Sequence, residues 1–159
     1  MLREADDRRF QRRSWSMQRA GWVALAAWLL ASATGWIAPG PGSRSRVTSA
    51  DQRTTVQYER VLHLGAPTRI VVLVERAKAG ALDLALRDAY REAFHVRGVV
   101  PGPRTQAAGP HERRFTLEID GAGRTRVEVE LLPLAWGWQT GELRVDGRHV
   151  ATLRHLVLP

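Results

Sequence analysis

The 159-residue chain contains no cysteine and a single lysine, Lys78. Without cysteine, no disulfide can staple the fold and no thiolate can act as a nucleophile or metal ligand. Serine is absent from residues 55–159, and the chain contains no G-x-S-x-G motif. The usual signature of a hydroxyl nucleophile is therefore missing from this part of the chain. Because no disulfide can form, packing alone must stabilise the fold.

The sequence also lacks any recognisable grouping of metal ligands. No H-x-H, H-E-x-x-H or C-x-x-C motif is present, and the five histidines stand singly: His63, His95, His111, His149 and His155. On one strand the last two would share a face but lie roughly 20 Å apart, because a strand rises about 3.3 Å per residue. We therefore expect neither a metal site nor a cofactor.

Carboxylates are the remaining candidates for catalysis. Four of them stand among arginines on the polar side of two strand-like segments: Glu118, Asp120, Glu128 and Glu130. Cross-strand ion pairs explain this pattern more simply than an acid–base pair does. No G-K-[ST] phosphate motif is present either. The sequence therefore predicts a protein that is not an enzyme.

The formal net charge of +8 comes from arginine. Beyond residue 38 the arginines are scattered singly between strand-like residues, whereas a nucleic-acid-binding protein needs a clustered basic face. We therefore expect no nucleic-acid partner. Attraction to anionic lipid headgroups fits this composition better.

One apolar run stands out, over residues 20–38, which carry no charge. At 1.5 Å per residue these 19 residues just cross a hydrocarbon core of about 30 Å. Trp22 and Trp36 would lie about 21 Å apart along the helix, near the two headgroup layers. The following Pro39-Gly40-Pro41-Gly42 should end the helix. The sequence thus predicts a transmembrane helix over 20–38.

The flanking charges predict the orientation of this helix in the cell membrane. Six arginines precede it: Arg3, Arg8, Arg9, Arg12, Arg13 and Arg19. Only Arg44 and Arg46 follow closely, so the positive-inside rule places a tail of residues 1–19 in the cytoplasm and the C-terminal domain outside. The alternative is a cleaved signal peptide, with Ala31-Ser32-Ala33 as the cleavage site.

Residues 39–54 are rich in Pro, Gly, Ser, Thr and Arg, and this composition predicts a flexible linker. The remaining segment, 55–159, has the size of one domain. Alternating or β-branched segments predict strands over 56–62, 68–75, 82–86 and 94–100. We expect one or two helical turns over 87–93, although a single helix over 82–94 also fits the spacing. Three prolines and two glycines predict a surface loop over 101–111, outside any sheet.

Two hairpins complete the predicted domain. Residues 114–120 and 125–131 alternate between apolar and charged, and a short Gly-containing connection joins them. A second hairpin, 141–145 with 149–157, should turn at Asp146-Gly147. Seven or eight short strands with these turns predict an immunoglobulin-like antiparallel β-sandwich, and a small open barrel is the alternative.

Two longer segments also carry a resemblance. VQYERVLHLGAPTRIVVLV at 56–74 and VATLRHLVLP at 150–159 follow a basic tail and an apolar run. This arrangement resembles a group of small bacterial single-pass membrane proteins with an immunoglobulin-like ectodomain. The resemblance covers the whole chain through loose motifs. It implies the architecture and brings no catalytic activity with it.

Leu134-Ala135-Trp136-Gly137-Trp138 lies between two predicted strands, where a polar connection would be usual. Trp136 and Trp138 are candidate contacts for a partner or the bilayer interface; alternatively, they cap the open end of the sandwich. We predict a non-enzymatic, membrane-anchored accessory protein that binds membrane lipid and another membrane or envelope protein. The alternatives are a sensor that signals through the basic tail and a secreted β-domain released by cleavage.

Overall fold

The computed structural model describes residues 2–33, 43–76, 79–121 and 123–159. The chain forms two compact units, Met1–Gly42 and Ser43–Pro159. The first contains one long helix, and the second is mainly β.

Helix α1 spans Leu2–Ala33 and includes the arginines at positions 8, 9, 12 and 13. In it the guanidinium carbon of Arg19 lies 4.3 Å from the ring centre of Trp15, a cation–π contact. Trp22 is exposed on this helix, while Trp36 and the rest of the predicted span after residue 33 lie outside the described residues. In the described part of the chain, no helix combines the length and the hydropathy that crossing a membrane requires.

Five strands form the first sheet of the second unit, in the order β1-β2-β4-β9-β6, with every neighbouring pair antiparallel. These strands are β1 (Arg44–Thr48), β2 (Thr54–Glu59), β4 (Thr68–Arg76), β6 (Phe94–Val100) and β9 (Gly123–Pro133).

Six strands form the second sheet, in the order β3-β11-β10-β5-β8-β7. They are β3 (Val61–His63), β5 (Gly80–Arg87), β7 (Thr105–Ala108), β8 (Glu112–Ile119), β10 (Gly137–Val145) and β11 (Arg148–Leu158). Only the β3–β11 pair is parallel in this sheet. A short helix, α2 (Ala89–Glu92), follows β5. Two separate sheets make the domain a sandwich and not a barrel.

Alternation along each strand builds the core between the sheets. In β2 every second residue is buried, and the same pattern recurs in β8 and β9. Leu131 of the five-stranded sheet is completely buried, as are six leucines of the six-stranded sheet: Leu82, Leu84, Leu86, Leu117, Leu143 and Leu153. Burial of each such side chain contributes about 1.5–3 kcal/mol, which accounts for a stable domain without disulfides.

Several sequence predictions are confirmed by these strands. Strand β5 is followed by the short helix α2, so residues 82–94 form a strand plus helical turns and not one helix. Strands β10 and β11 form the expected hairpin. Its turn has φ of 49° at Asp146 and 74° at Gly147, the left-handed conformation that a tight hairpin turn requires.

The predicted hairpin between residues 114–120 and 125–131 is wrong. Strand β8 pairs with β5 and β7, whereas β9 pairs with β4 and β6 in the other sheet. The connection after Ile119 crosses between the sheets. Alternation identifies the buried face of a strand but not its partner, so both segments satisfied the pattern although they lie in different sheets.

Two segments expected to lie outside the sheets form edge strands. Within the predicted loop 101–111, β7 pairs with β8, which is possible because its four residues contain no proline. Within the predicted linker 39–54, β1 pairs with β2. Val47 on β1 packs against the core, and this contact explains why a polar segment joins the sheet.

The predicted strand over 56–62 is interrupted at Arg60. Before it, β2 pairs with β1 and β4; after it, β3 pairs with β11 in the other sheet. The chain therefore changes sheets at one residue. This crossing lies at the end of the sandwich that also carries α2 and the first residues of β10.

Tyr90 of α2 lies directly over Gly141 of β10. A Cβ atom added at Gly141 would lie 2.5 Å from two ring atoms of Tyr90 and 3.2 Å from the carbonyl oxygen of Arg87. No side chain can occupy this position unless Tyr90 moves. Glycine at 141 thus allows α2 to close this end of the sandwich.

We predict that Gly141→Ala lowers the free energy of unfolding by about 1–3 kcal/mol, the usual cost of overpacking a core. The matched control is Gly98→Ala on β6, where an added Cβ meets no atom within 4 Å. Urea unfolding followed by circular dichroism measures both. Equal stability of the two variants would show that the packing of Tyr90 does not require glycine at position 141.

Candidate functional site

The only buried histidine among the described residues is His155, at the end of the sandwich where the chain changes sheets. Its side chain is 1% exposed, and both ring nitrogens have partners. Nδ1 lies 2.7 Å from the carbonyl oxygen of Glu59, and Nε2 lies 2.7 Å from the hydroxyl oxygen of Tyr90. A carbonyl only accepts, so Nδ1 carries the proton and Tyr90 donates to Nε2.

Aromatic rings surround this histidine. The ring centres of Tyr58, Tyr90 and Phe94 lie 5.2, 5.8 and 5.5 Å from that of His155. Burial lowers the pKa of His155 to about 4 and raises the pKa of Tyr90 well above its ordinary value. Both groups are therefore neutral at physiological pH. The cluster is suited to holding α2 and the two sheets together, and no substrate can reach it.

His149 and His155 do not share a face, contrary to the sequence prediction. Val150 is an extra residue in β11, because Leu143 pairs with Ala151 while Arg144 pairs with His149. This bulge turns His149 outward, whereas His155 points into the core. The two imidazoles cannot bind one ion.

Trp136 and Trp138 lie on the outside of this same end, with 74% and 72% of their surface exposed. They do not cap the sandwich, because Tyr90, Phe94 and His155 already fill that space. Trp138 is on the outer face of β10, opposite the half-buried Leu156 of β11.

Two exposed leucines lie at the same end. The N–H of Leu64 donates to the carbonyl of Leu158 at the end of β11, and the N–H of Leu134 donates to the carbonyl of Ala93 after α2, both at 2.8 Å. We call Leu64, Leu134, Trp136 and Trp138 the tryptophan surface. Several large apolar side chains exposed together are unusual on a protein surface.

The sandwich also has two open grooves. One, of about 620 Å³, lies at the opposite end. There Ser49 donates to the Asp51 carboxylate, and this hydrogen bond lowers the pKa of Asp51. The other, of about 590 Å³, lies on the outer face of the five-stranded sheet and includes Arg44 and Arg46. The lining of the first groove also includes the imidazole of His149, beside the Ser49 hydroxyl and the Asp51 carboxylate.

Three of the four candidate carboxylates act as ion-pair partners of arginines on neighbouring strands or loops. Three of these pairs are Glu118–Arg104 at 3.3 Å, Glu128–Arg69 at 3.1 Å and Glu130–Arg97 at 3.3 Å. Glu118 belongs to the six-stranded sheet, whereas Glu128 and Glu130 both lie on β9 of the five-stranded sheet. Among the described residues, no three His, Asp or Glu side chains are grouped to hold a metal ion.

Sequence reasoning missed Tyr90, Gly141 and the role of His155. A signal for His155 was present, because it alternates with Leu153 and Val157 on the apolar face of β11. Tyr90 and Gly141 gave no such signal, since their contact joins segments about fifty residues apart in the chain.

The neutral state of His155 predicts a pH dependence. The pKa is 6.5 for an ordinary histidine and about 4 for His155 in the folded protein. Protonation thus favours the unfolded state: stability is fully present above pH 6.5 and is lost as pH falls through about 4. We expect a loss of about 3 kcal/mol between pH 7.5 and pH 4 from this residue.

Urea unfolding of the wild type and of His155→Gln across this pH range measures that contribution. Glutamine preserves a donor and an acceptor but does not titrate. The variant should therefore show a smaller loss at low pH. Parallel pH profiles for the two proteins would contradict the assignment.

No protein-family model and no curated protein matches this chain. Among solved structures, it is similar to a non-cellulosomal cohesin from the archaeon Archaeoglobus fulgidus, with 15% identity over 67% of this chain and 92% of the cohesin, and a TM-score of 0.45. A chain of the CaDoc0917–CaCohA2 complex matches with 11% identity over 62% of this chain and 96% of its own length, also at 0.45.

Domains 4 and 5 of the S-layer protein SbsC match with 9% identity over 76% of this chain and 79% of theirs, at a TM-score of 0.39. Because these TM-scores are all below 0.5, the similarities carry no argument about what this chain binds. The protein is thus a two-sheet β-sandwich with one end closed by aromatic side chains. Exposed apolar side chains surround that end.

Proposed function

We propose that this protein is a non-enzymatic, membrane-anchored accessory protein whose outer, immunoglobulin-like domain binds another protein of the cell envelope. The anchor is the apolar segment 20–38, with residues 1–19 in the cytoplasm. The domain then lies outside the membrane, where a partner can reach it.

The unprotected edge of strand β7 is the feature that best supports this proposal. It pairs with β8 on one side only, and all four of its residues, Thr105–Ala108, are exposed. Edge strands are usually protected by charges, prolines or bulges. β7 contains none of these, whereas β6, an edge of the other sheet, is interrupted by a bulge near Arg97.

An unprotected edge is a docking site for an extended segment of another protein. Backbone groups along the free side of β7 can extend the sheet by one strand, which gives affinity, and side chains on the two faces give specificity. We therefore assign the partner to this edge.

Cross-linking in cells tests this proposal. A photoreactive p-benzoylphenylalanine at Ala107 should give one discrete adduct with another envelope protein. Gln106→Lys/Ala108→Lys on the same background should lower its yield severalfold, because edge charges oppose strand addition.

The control is Ala50→Lys/Gln52→Lys, which adds the same charge at exposed positions in the turn between β1 and β2. This variant should keep the adduct, and all variants should unfold at the wild-type temperature. Failure to find a consistent adduct from Ala107, or an equal loss in the control, would contradict the proposal.

A further inference from the structure

The tryptophan surface lies beside the point where the chain enters the β-domain. The N–H of Arg60 donates to the carbonyl of Ser43, and the N–H of Leu156 donates to the carbonyl of Arg60, both at 2.7 Å. Ser43 is the first residue of the domain, and Leu156 is the cross-strand partner of Trp138. Two backbone hydrogen bonds thus connect Ser43, where the chain enters the domain, to Leu156, which lies opposite Trp138.

Chain length limits how far this end can lie from the anchor. Five residue steps separate Ala38, the last residue of the predicted span, from Ser43. An extended chain covers at most about 3.6 Å per residue, so these steps reach no more than about 18 Å. The headgroup layer of one leaflet is roughly 5–8 Å deep. Only a short segment of chain therefore connects the proposed anchor to this end of the domain.

The chemistry of this end matches a lipid surface. Indole rings prefer the headgroup region, where the apolar ring contacts the acyl chains and the N–H contacts water or headgroups. Exposed arginines lie around the same end: Arg44 begins β1, Arg60 is the crossing residue, and Arg154 is on the outer face of β11. None of the three forms an ion pair with a described residue, so each is available to anionic headgroups.

We propose that the tryptophan surface binds the headgroup–acyl boundary of the bilayer in which the same chain is anchored. The proposal rests on the anchor in the proposed function. The turn at Asp146-Gly147 lies at the other end of the sandwich from this surface. Binding of the tryptophan surface to the bilayer leaves the β7 edge free for a protein partner, so the two contacts use different surfaces.

Fluorescence quenching in vesicles tests the contact with the full chain. Trp15, Trp22, Trp28 and Trp36 are replaced by Phe, so that Trp136 and Trp138 alone emit. The protein is reconstituted into phosphatidylcholine–phosphatidylglycerol vesicles containing lipids brominated near the headgroup. We expect severalfold stronger quenching than with unbrominated lipid, together with a blue-shifted emission.

The control moves the fluorophore to the far end of the domain, by replacing Trp136 and Trp138 with Phe and introducing Ala50→Trp. Brominated lipid should leave this emission nearly unchanged. Equal quenching in the two proteins, or none in either, would overturn the contact. A blue shift that depends on protein concentration and not on brominated lipid would also overturn it, because it would show that a second copy covers the surface.

Carbonate extraction of the same vesicles separates this proposal from the proposed function. If the chain is washed off at alkaline pH, the anchor is wrong and the contact that rests on it fails too. If the chain stays in the membrane and its indoles are unquenched, the contact alone is wrong.

Discussion

His155 is the residue on which the closed end of the sandwich depends. Its Nδ1–H donates to the backbone of Glu59 in the five-stranded sheet, while His155 itself belongs to the six-stranded sheet. Through Nε2 it accepts from Tyr90 of α2. One neutral side chain thus joins both sheets and the helix at the end of the sandwich where the chain crosses between sheets at Arg60. Removal of the imidazole would leave a buried carbonyl and a buried hydroxyl without partners, which is more costly than the hydrogen bonds themselves are worth.

This arrangement explains why tryptophans can stand outside the domain. The space between the sheets at this end is filled by the rings of Tyr58, Tyr90 and Phe94 around His155. Trp136 precedes β10 and Trp138 is its second residue, and both side chains are exposed, so neither occupies this space. A rigid end with exposed indoles can make contact with a surface without rearranging the core. The edge of β7 and the tryptophan surface both consist of exposed residues that are not part of the core.

The sequence predicted the faces of the strands better than their pairing. Alternation correctly identified Leu117 and Val129 as inward-facing residues, and Asp146-Gly147 correctly predicted a hairpin turn. The predicted pairing of β8 with β9 was wrong because strands in two different sheets can show the same alternation as two neighbours in one sheet. The bulge at Val150 shifted the face of His149, and an extra residue of this kind leaves no mark on a period-two pattern. The contact of Tyr90 with Gly141 depends on tertiary packing, which local patterns do not encode.

The tautomer of His155 shows directly whether this side chain joins the two sheets and α2, because that role requires a neutral ring that donates through Nδ1. Nitrogen-15 NMR of the imidazole at pH 7 resolves the two ring nitrogens of each histidine. We predict that His155 has a protonated Nδ1 and an unprotonated Nε2, with one fixed tautomer. A protonated Nε2, or the averaged shifts of a ring that exchanges freely with water, would contradict it.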